Sequence, residues 1–122
     1  MARRSEHSRD EIKEMALKAA DKIVTEDGYS GLKVRKIALE IGYTVGSIYM
    51  VFENMDDLIM QLKARVLDDI AASMDQLATE KNDPERAIVE LARIYLSFAG
   101  SRFNRWSLIF EHRLPKDQGL PD

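Results

Sequence analysis

The stretch from Val34 to Val51 constrains this chain more than any other. Val34, Ile37, Ala38 and Ile41 recur at the i, i+3, i+4 and i+7 spacing of one apolar helix face, and Gly42 follows at once. Ile48, Tyr49 and Val51 then belong to a further helix for which Thr44 is a suitable cap, so only Gly42 and Tyr43 lie between the two. Helices that close form a tight corner with no room for a strand. A helix-turn-helix needs a small residue where its helices cross, a glycine able to take positive φ in the turn, and apolar anchors on its second helix. Ala38, Gly42 and the pair Ile48 and Val51 supply these in order.

The remaining chain reads as helix on both sides of this corner. Only three prolines occur, and no alternating run rich in Val, Ile and Thr is flanked by turn signals, so strands have little support. Ser8 can cap a first helix with Glu11 reaching back in a capping box. That helix should run to about Asp27, with Ile12, Ala16, Ala19 and Ile23 on one side, and Gly28 should stop it as a left-handed residue. Asp56 and Asp57 suit the start of a long fourth helix whose stripe is Met55, Ile59, Leu62, Val66, Ile70, Met74 and Leu77. At ~1.5 Å per residue it spans on the order of 33 Å, enough to join two lobes. Asp83 and Pro84 look like the cap and first position of a fifth helix, with Ala87, Leu91, Ile94, Tyr95 and Phe98 on its apolar side and Gly100 at its end. A sixth, from about Arg102 to Arg113, sets Phe103, Trp106 and Phe110 along one edge before Pro115, and 116–122 should be loop. The expectation is an all-α chain.

Composition narrows the chemistry. Cysteine is absent, which removes disulfides, thiolate zinc sites and cysteine nucleophiles and fits a reducing, cytoplasmic setting. No run approaches the ~18 to 20 apolar residues of a membrane span, so a soluble chain without membrane contact is expected. The net charge is −3 and unevenly spread: residues 1–55 hold nine basic and nine acidic side chains, residues 56–122 nine and twelve. A polyanion should therefore meet the first half. Asp68 and Asp69 adjoin but diverge by about 100° on a helix, and His112 beside Glu111 lacks metal spacing. No catalytic set, metal site or cofactor site emerges, and no enzyme is expected.

Three segments carry a family resemblance. They are Ala16-Leu17-Lys18-Ala19-Ala20 leading to Gly28-Tyr29, then Val34-Arg35-Lys36-Ile37-Ala38 with Gly42, then Gly46-Ser47-Ile48-Tyr49 with Phe52 and Asp57-Leu58. In register and spacing, roughly residues 9–62 resemble the tetracycline-repressor (TetR) family. The resemblance implies a three-helix DNA-binding domain over residues 1–54, joined through the long helix to a partial ligand-binding and dimerisation domain over 55–122. It further implies a dimeric regulator, usually a repressor, that binds a palindromic operator and responds to a small-molecule effector. Family members continue through further helices that form the ligand chamber and the dimer contact, so this chain is expected to be a fragment or to lack part of the molecule, and the dimer interface is not expected among its residues.

The outward positions of the second corner helix, Thr44, Val45, Gly46, Ser47, Tyr49 and Met50, would face the major groove. Tyr49 matches the family's phosphate-contacting tyrosine, against the plainer alternative of a partly buried aromatic. Arg35 and Lys36 can approach phosphates or form a solvated face, Lys33 is an accessory cation, and Val45 can meet a thymine methyl. Arg3 and Arg4 stand on a basic arm suited to the minor groove. Tyr95, Phe98, Trp106 and Phe110 are candidates for an effector pocket, or plain core. Two departures stand out: Met55 where the family usually has Lys, and Glu53 where a basic residue is frequent. With no Arg, Lys, Asn or Gln on the reading helix, binding should be modest, salt-sensitive and weighted to methyl contacts and DNA shape. The competing reading is a helical ligand-binding or protein-interaction module that has lost strong DNA binding.

Overall fold

The computed structural model describes residues 7–78, 83–100 and 103–114, excluding the side chains at 76–78 and 98–99. The candidates Arg3, Arg4 and the side chains of Leu77 and Phe98, with the 116–122 tail, lie outside the described residues. Six α-helices make up the described chain: α1 Arg9–Asp27, α2 Val34–Ile41, α3 Val45–Val51, α4 Met55–Ala78, α5 Pro84–Ala99 and α6 Phe103–Glu111. A 3-10 turn, Tyr29–Gly31, links α1 to α2, and no strand occurs among the described residues.

Local chemistry sets the helix ends. The Glu11 amide donates to Ser8 Oγ at 3.1 Å while the Ser8 amide donates to Glu11 Oε1 at 2.7 Å, the reciprocal box expected from the sequence. Gly28 has φ 80°, as its place after α1 suggests, but its ψ of 177° puts it in a mirror-extended region that is essentially glycine's alone rather than in the left-handed helical one. Gly42, at φ 77° and ψ 26°, does adopt the left-handed conformation. Its own amide donates to Leu39 O at 3.3 Å and the Tyr43 amide to Ala38 O at 3.0 Å, so the last carbonyls of α2 are satisfied while the chain turns into α3. Asp83 Oδ1 accepts from the Arg86 amide at 3.2 Å, with Pro84 as first residue of α5.

One core holds the corner in place. Ile37 and Ala38 of α2, Ile48 of α3 and Phe52 after it meet Ala16, Leu17, Ala20, Ile23 and Val24 of α1, and Leu58 and Leu62 of α4 close the cluster. The alanines on α1 let α2 and α3 approach its axis. Leu108 of α6 is fully buried in this same cluster, so the sixth helix packs on the first. Sequence pattern set Phe103, Trp106 and Phe110 along one edge of α6; they are 49%, 39% and 61% exposed, which leaves Leu108 rather than these aromatics as the core anchor. The polar residues of α6 explain the difference. Arg105 Nε donates to Asp21 Oδ1 at 2.6 Å and its Nη2 to Asp69 Oδ2 at 2.8 Å, while Asn104 Nδ2 donates to Thr25 O at 3.2 Å. These contacts turn one face of α6 onto α1 and α4 and leave the aromatics on the other. Farther along, Glu14 of α1 accepts from Arg65 of α4 through both carboxylate oxygens, with Arg65 Nη1 at 2.8 Å from Oε2.

Candidate nucleic-acid interface

Helix α3 presents a mostly uncharged face. Its cap is Thr44, whose Oγ1 accepts from the Ser47 amide at 3.1 Å and lies 3.0 Å from Ser47 Oγ. The capping role occupies the threonine oxygen as an acceptor; what remains for a phosphate is a hydroxyl proton. Gly46, Tyr49 and Met50 are exposed and Ser47 half-buried. Tyr49 is 43% exposed and is not part of the buried core. Val45 departs from the expected outward position: it sits three residues before the buried Ile48, on the same inner edge, and packs half-buried against the core.

The cations around α3 differ in freedom. Lys33, at the residue before α2, and Arg35 in its first turn are exposed and carry no ion pair among the described residues. Lys36 Nζ donates to Asp27 Oδ2 at 2.9 Å, because the 3-10 turn folds the end of α1 back beside α2. Both partners are about half exposed, 48% and 50%, and such surface pairs are worth ~0 to 1 kcal/mol, so a phosphate can displace the carboxylate at small cost. A groove runs between this edge and the start of α4, bordered by Lys33, Arg35, Met55 and Asp56.

The N-terminus of α4 is already capped by side chains of this chain. Asn54 Oδ1 accepts from the Asp57 amide at 2.8 Å, and Asp57 Oδ2 accepts from the Glu53 amide at 2.9 Å. Asp56 Oδ1 lies 2.8 Å from Nε2 of the buried His112, whose carbonyl accepts from Lys63 Nζ at 2.9 Å. Burial holds the Lys63 ammonium below its ordinary pKa, partly offset by Asp56. A phosphate arriving here would meet two acidic side chains in the first turn and no lysine at Met55.

At the other end of the molecule α4, α5 and α6 enclose a cleft of about 280 Å³. Ile70 and Met74 line it from α4, Leu91, Ile94 and Tyr95 from α5, and Phe103 and Trp106 from α6. Of the four aromatics singled out in the sequence, Tyr95 and Trp106 meet in this cleft. Phe110 does not: it sits one turn beyond Trp106, stacked edge-on against that indole at 5.3 Å between centroids and otherwise exposed. Phe103 takes the place expected for it.

With this geometry established, comparison with known proteins is informative. Residues 16–62 match the family model described as bacterial regulatory proteins, tetR family. Residues 16–62 form a tetR-family domain. The match begins within α1, spans the corner and ends at the buried Leu62 of α4. An uncharacterised HTH-type transcriptional regulator of Mycobacterium tuberculosis is 27% identical over 107 residues, covering 88% of this chain and 47% of that protein. A further HTH-type regulator, from Haemophilus influenzae, is 29% identical over 66 residues, 54% of this chain and 35% of the relative. The fatty acid metabolism regulator protein of Bacillus subtilis is 32% identical over 63 residues, 52% of this chain and 32% of its own length. The chain thus spans half or less of the length of these curated relatives. No helix among the described residues is long and apolar enough to cross a membrane.

Residues ahead of the tetR-family domain make contacts onto it that sequence reasoning missed. His7 Nδ1 lies 2.6 Å from the Tyr43 hydroxyl, and Arg9 Nη2 donates to the carbonyl of Met50. Residues before and at the start of α1 thereby hold the turn ahead of α3 and the last turn of that helix. These pairs are separated by 36 and 41 positions in the chain, and nothing local in the sequence announces them.

Proposed function

We propose that this chain is the operator-binding part of a bacterial transcription regulator, acting as a dimer on palindromic DNA and released by a small-molecule effector. The supporting observation is that the segment matching the tetR family coincides with a helix corner whose second helix leaves Gly46, Tyr49 and Met50 uncovered beside Lys33 and Arg35, exposed cations without an ion pair among the described residues. In this reading α3 enters the major groove, Tyr49 and Thr44 donate to phosphate, Lys33 and Arg35 neutralise the backbone, and Lys36 exchanges Asp27 for a phosphate. Residues 1–54 serve as the reading head, and 55–122 as connecting helix and ligand-binding part. Two-fold symmetry asks for half-sites one DNA turn apart, ~34 to 36 Å, or a multiple of it. Repression in the cytoplasm follows as the direction of control, with regulation rather than catalysis as the activity.

Selection from a random duplex library at two salt concentrations tests the reading. Enrichment of a palindrome, with affinity falling steeply as salt rises, is the expected result. No enrichment even at low salt favours a second reading, a helical ligand-binding or interaction module without strong DNA affinity. The acidic, self-capped start of α4 and the absence of charge on α3 are the observations on that side.

A further inference from the structure

We propose that His112 is a positioning residue for DNA binding, acting through its bond to Asp56 in the first turn of α4. Neutral, it leaves the Asp56 charge facing an incoming phosphate; protonated, it cancels that charge, so duplex affinity rises toward acid pH. The proposal rests on the DNA-binding reading above and adds a titratable group to it. His112 follows the last residue of α6, is 4% exposed, and is the one buried polar or charged side chain among the described residues. Its Nε2 lies 2.8 Å from Asp56 Oδ1, across 56 positions of the chain. An ionised carboxylate only accepts, so Nε2 carries the hydrogen and Nδ1 is the atom that takes a further proton from solvent.

The groups around the ring come from three elements. From α4, Asp56 favours the imidazolium, while the Lys63 ammonium, which donates to the His112 carbonyl at 2.9 Å, opposes it together with burial. From the 3-10 turn, Tyr29 meets the imidazole edge-on at 6.2 Å between centroids. On the chain of α6 itself, Glu111 and Arg113 flank His112, and Glu111 Oε1 accepts from Ser107 Oγ at 3.3 Å. The Asp56 side chain is 34% exposed and borders the same groove as Tyr29, Lys33, Arg35, Lys36 and Met55. A phosphate held by those cations therefore lies within reach of the Asp56 field. Histidine ordinarily changes charge between about pH 5 and 8, so the ion pair forms or dissolves over an accessible range. Once charged at both ends, the bond also grips the first turn of α4 more firmly.

The test measures affinity for the duplex enriched in the selection above, by anisotropy from about pH 8 to 5.5 at constant low ionic strength, for the 122-residue chain and its variants. Affinity of the unsubstituted chain should rise about two- to fourfold toward acid, the weight of one charge ~5 to 10 Å from a phosphate in water. H112Q keeps an amide N–H for Asp56 but does not titrate, so it should hold the affinity of the alkaline limit throughout. D56N removes the charge from the partly exposed partner and tests the proposal even where H112Q fails to fold. Its affinity at about pH 8 should equal the acid limit of the unsubstituted chain and stay flat, because a buried His112 without its counter-ion remains neutral. A flat response in the unsubstituted chain overturns the proposal. So does a response that survives H112Q or D56N; a lowered melting temperature with the response intact would make His112 a packing residue only. A response that vanishes in H7Q instead assigns the effect to the other of the two histidines and also overturns it. Duplex binding with no pH dependence sinks the role of His112 and leaves the regulator reading standing, whereas no duplex bound at any pH sinks both.

Discussion

Replacing Gly42 by alanine isolates the conformational requirement of the helix corner. Gly42 has φ 77° and ψ 26°, and a Cβ built there meets nothing within 4 Å. The cost is therefore backbone strain without a steric contribution, ~1 to 2 kcal/mol for an L-residue in the left-handed well. Alanine also restricts the unfolded chain, which returns ~0.4 to 1 kcal/mol. The net loss is about 1 kcal/mol. With a urea dependence of ~1 to 3 kcal/mol per M for a small domain, the unfolding midpoint should fall by roughly 0.5 M at constant slope. G42N should recover about half of that, since asparagine tolerates the left-handed region. Gly28 makes the contrasting case: at ψ 177° it lies outside that region, so G28A and G28N should lose similar stability, ~1 to 3 kcal/mol. Urea melts of the four variants followed by circular dichroism decide the matter. An unchanged midpoint for G42A, or asparagine faring no better than alanine at position 42, would refute strain as the reason for this glycine.

Other expectations follow from named contacts. Y49F removes one hydroxyl from an exposed ring, so it should weaken binding to the selected duplex severalfold while leaving the melting temperature unchanged; equal affinity would discard the phosphate contact. M55K places a cation in the groove beside Asp56 and should strengthen binding and steepen the log-log salt dependence by about one counterion, read by anisotropy at several salt concentrations. R9A should lower affinity with no change in that salt slope, because Arg9 is spent on the Met50 carbonyl rather than on DNA; a slope reduced by about one would make Arg9 a phosphate ligand instead. The hydrogen bonds from Arg65 hold Glu14 below its ordinary pKa of 4.5. The native carboxylate is favoured, so this pair stabilises fully above that ordinary value and is lost as pH falls through the lowered one. E14Q should flatten the acid limb of stability against pH, and an unaltered limb would remove the pair from the account.

What could be read in advance divides by range of interaction. Ser8 with Glu11, Gly42 after Ile41, Thr44 before α3 and Asp83 with Pro84 act within one turn of helix, and residue type alone specifies them. The direction of Tyr49 and the burial of Ile48 follow from the same short-range phase. The orientation of α6 does not. Its three aromatics outweigh Leu108 in any hydrophobic pattern, yet Arg105 and Asn104 find partners on α1 that lie 84 and 79 positions away, and those bonds decide which side faces inward. The pairing of Lys36 with Asp27 depends on how the 3-10 turn folds, and the half-burial of Val45 on the depth at which α3 seats against α1. Arg9 and His7 reach α3 and its preceding turn only after tertiary packing has brought the chain's beginning beside them.

Helix α6, with nine residues, is about 14 Å long and too short to bend appreciably. It must move as a rigid rod. A turn of ~10° about its axis shifts every side chain at ~5 Å radius by roughly 0.9 Å along the circumference. Arg105 and Trp106 are adjacent, about 100° apart on the helix, so a turn that moves the indole also carries the guanidinium and stretches its 2.6 Å bond to Asp21. Mutational changes on one flank of this rod therefore register on the other, and substitutions at Phe103 or Trp106 should be read together with those at Asp21 and Thr25, as two ends of a single mechanical part.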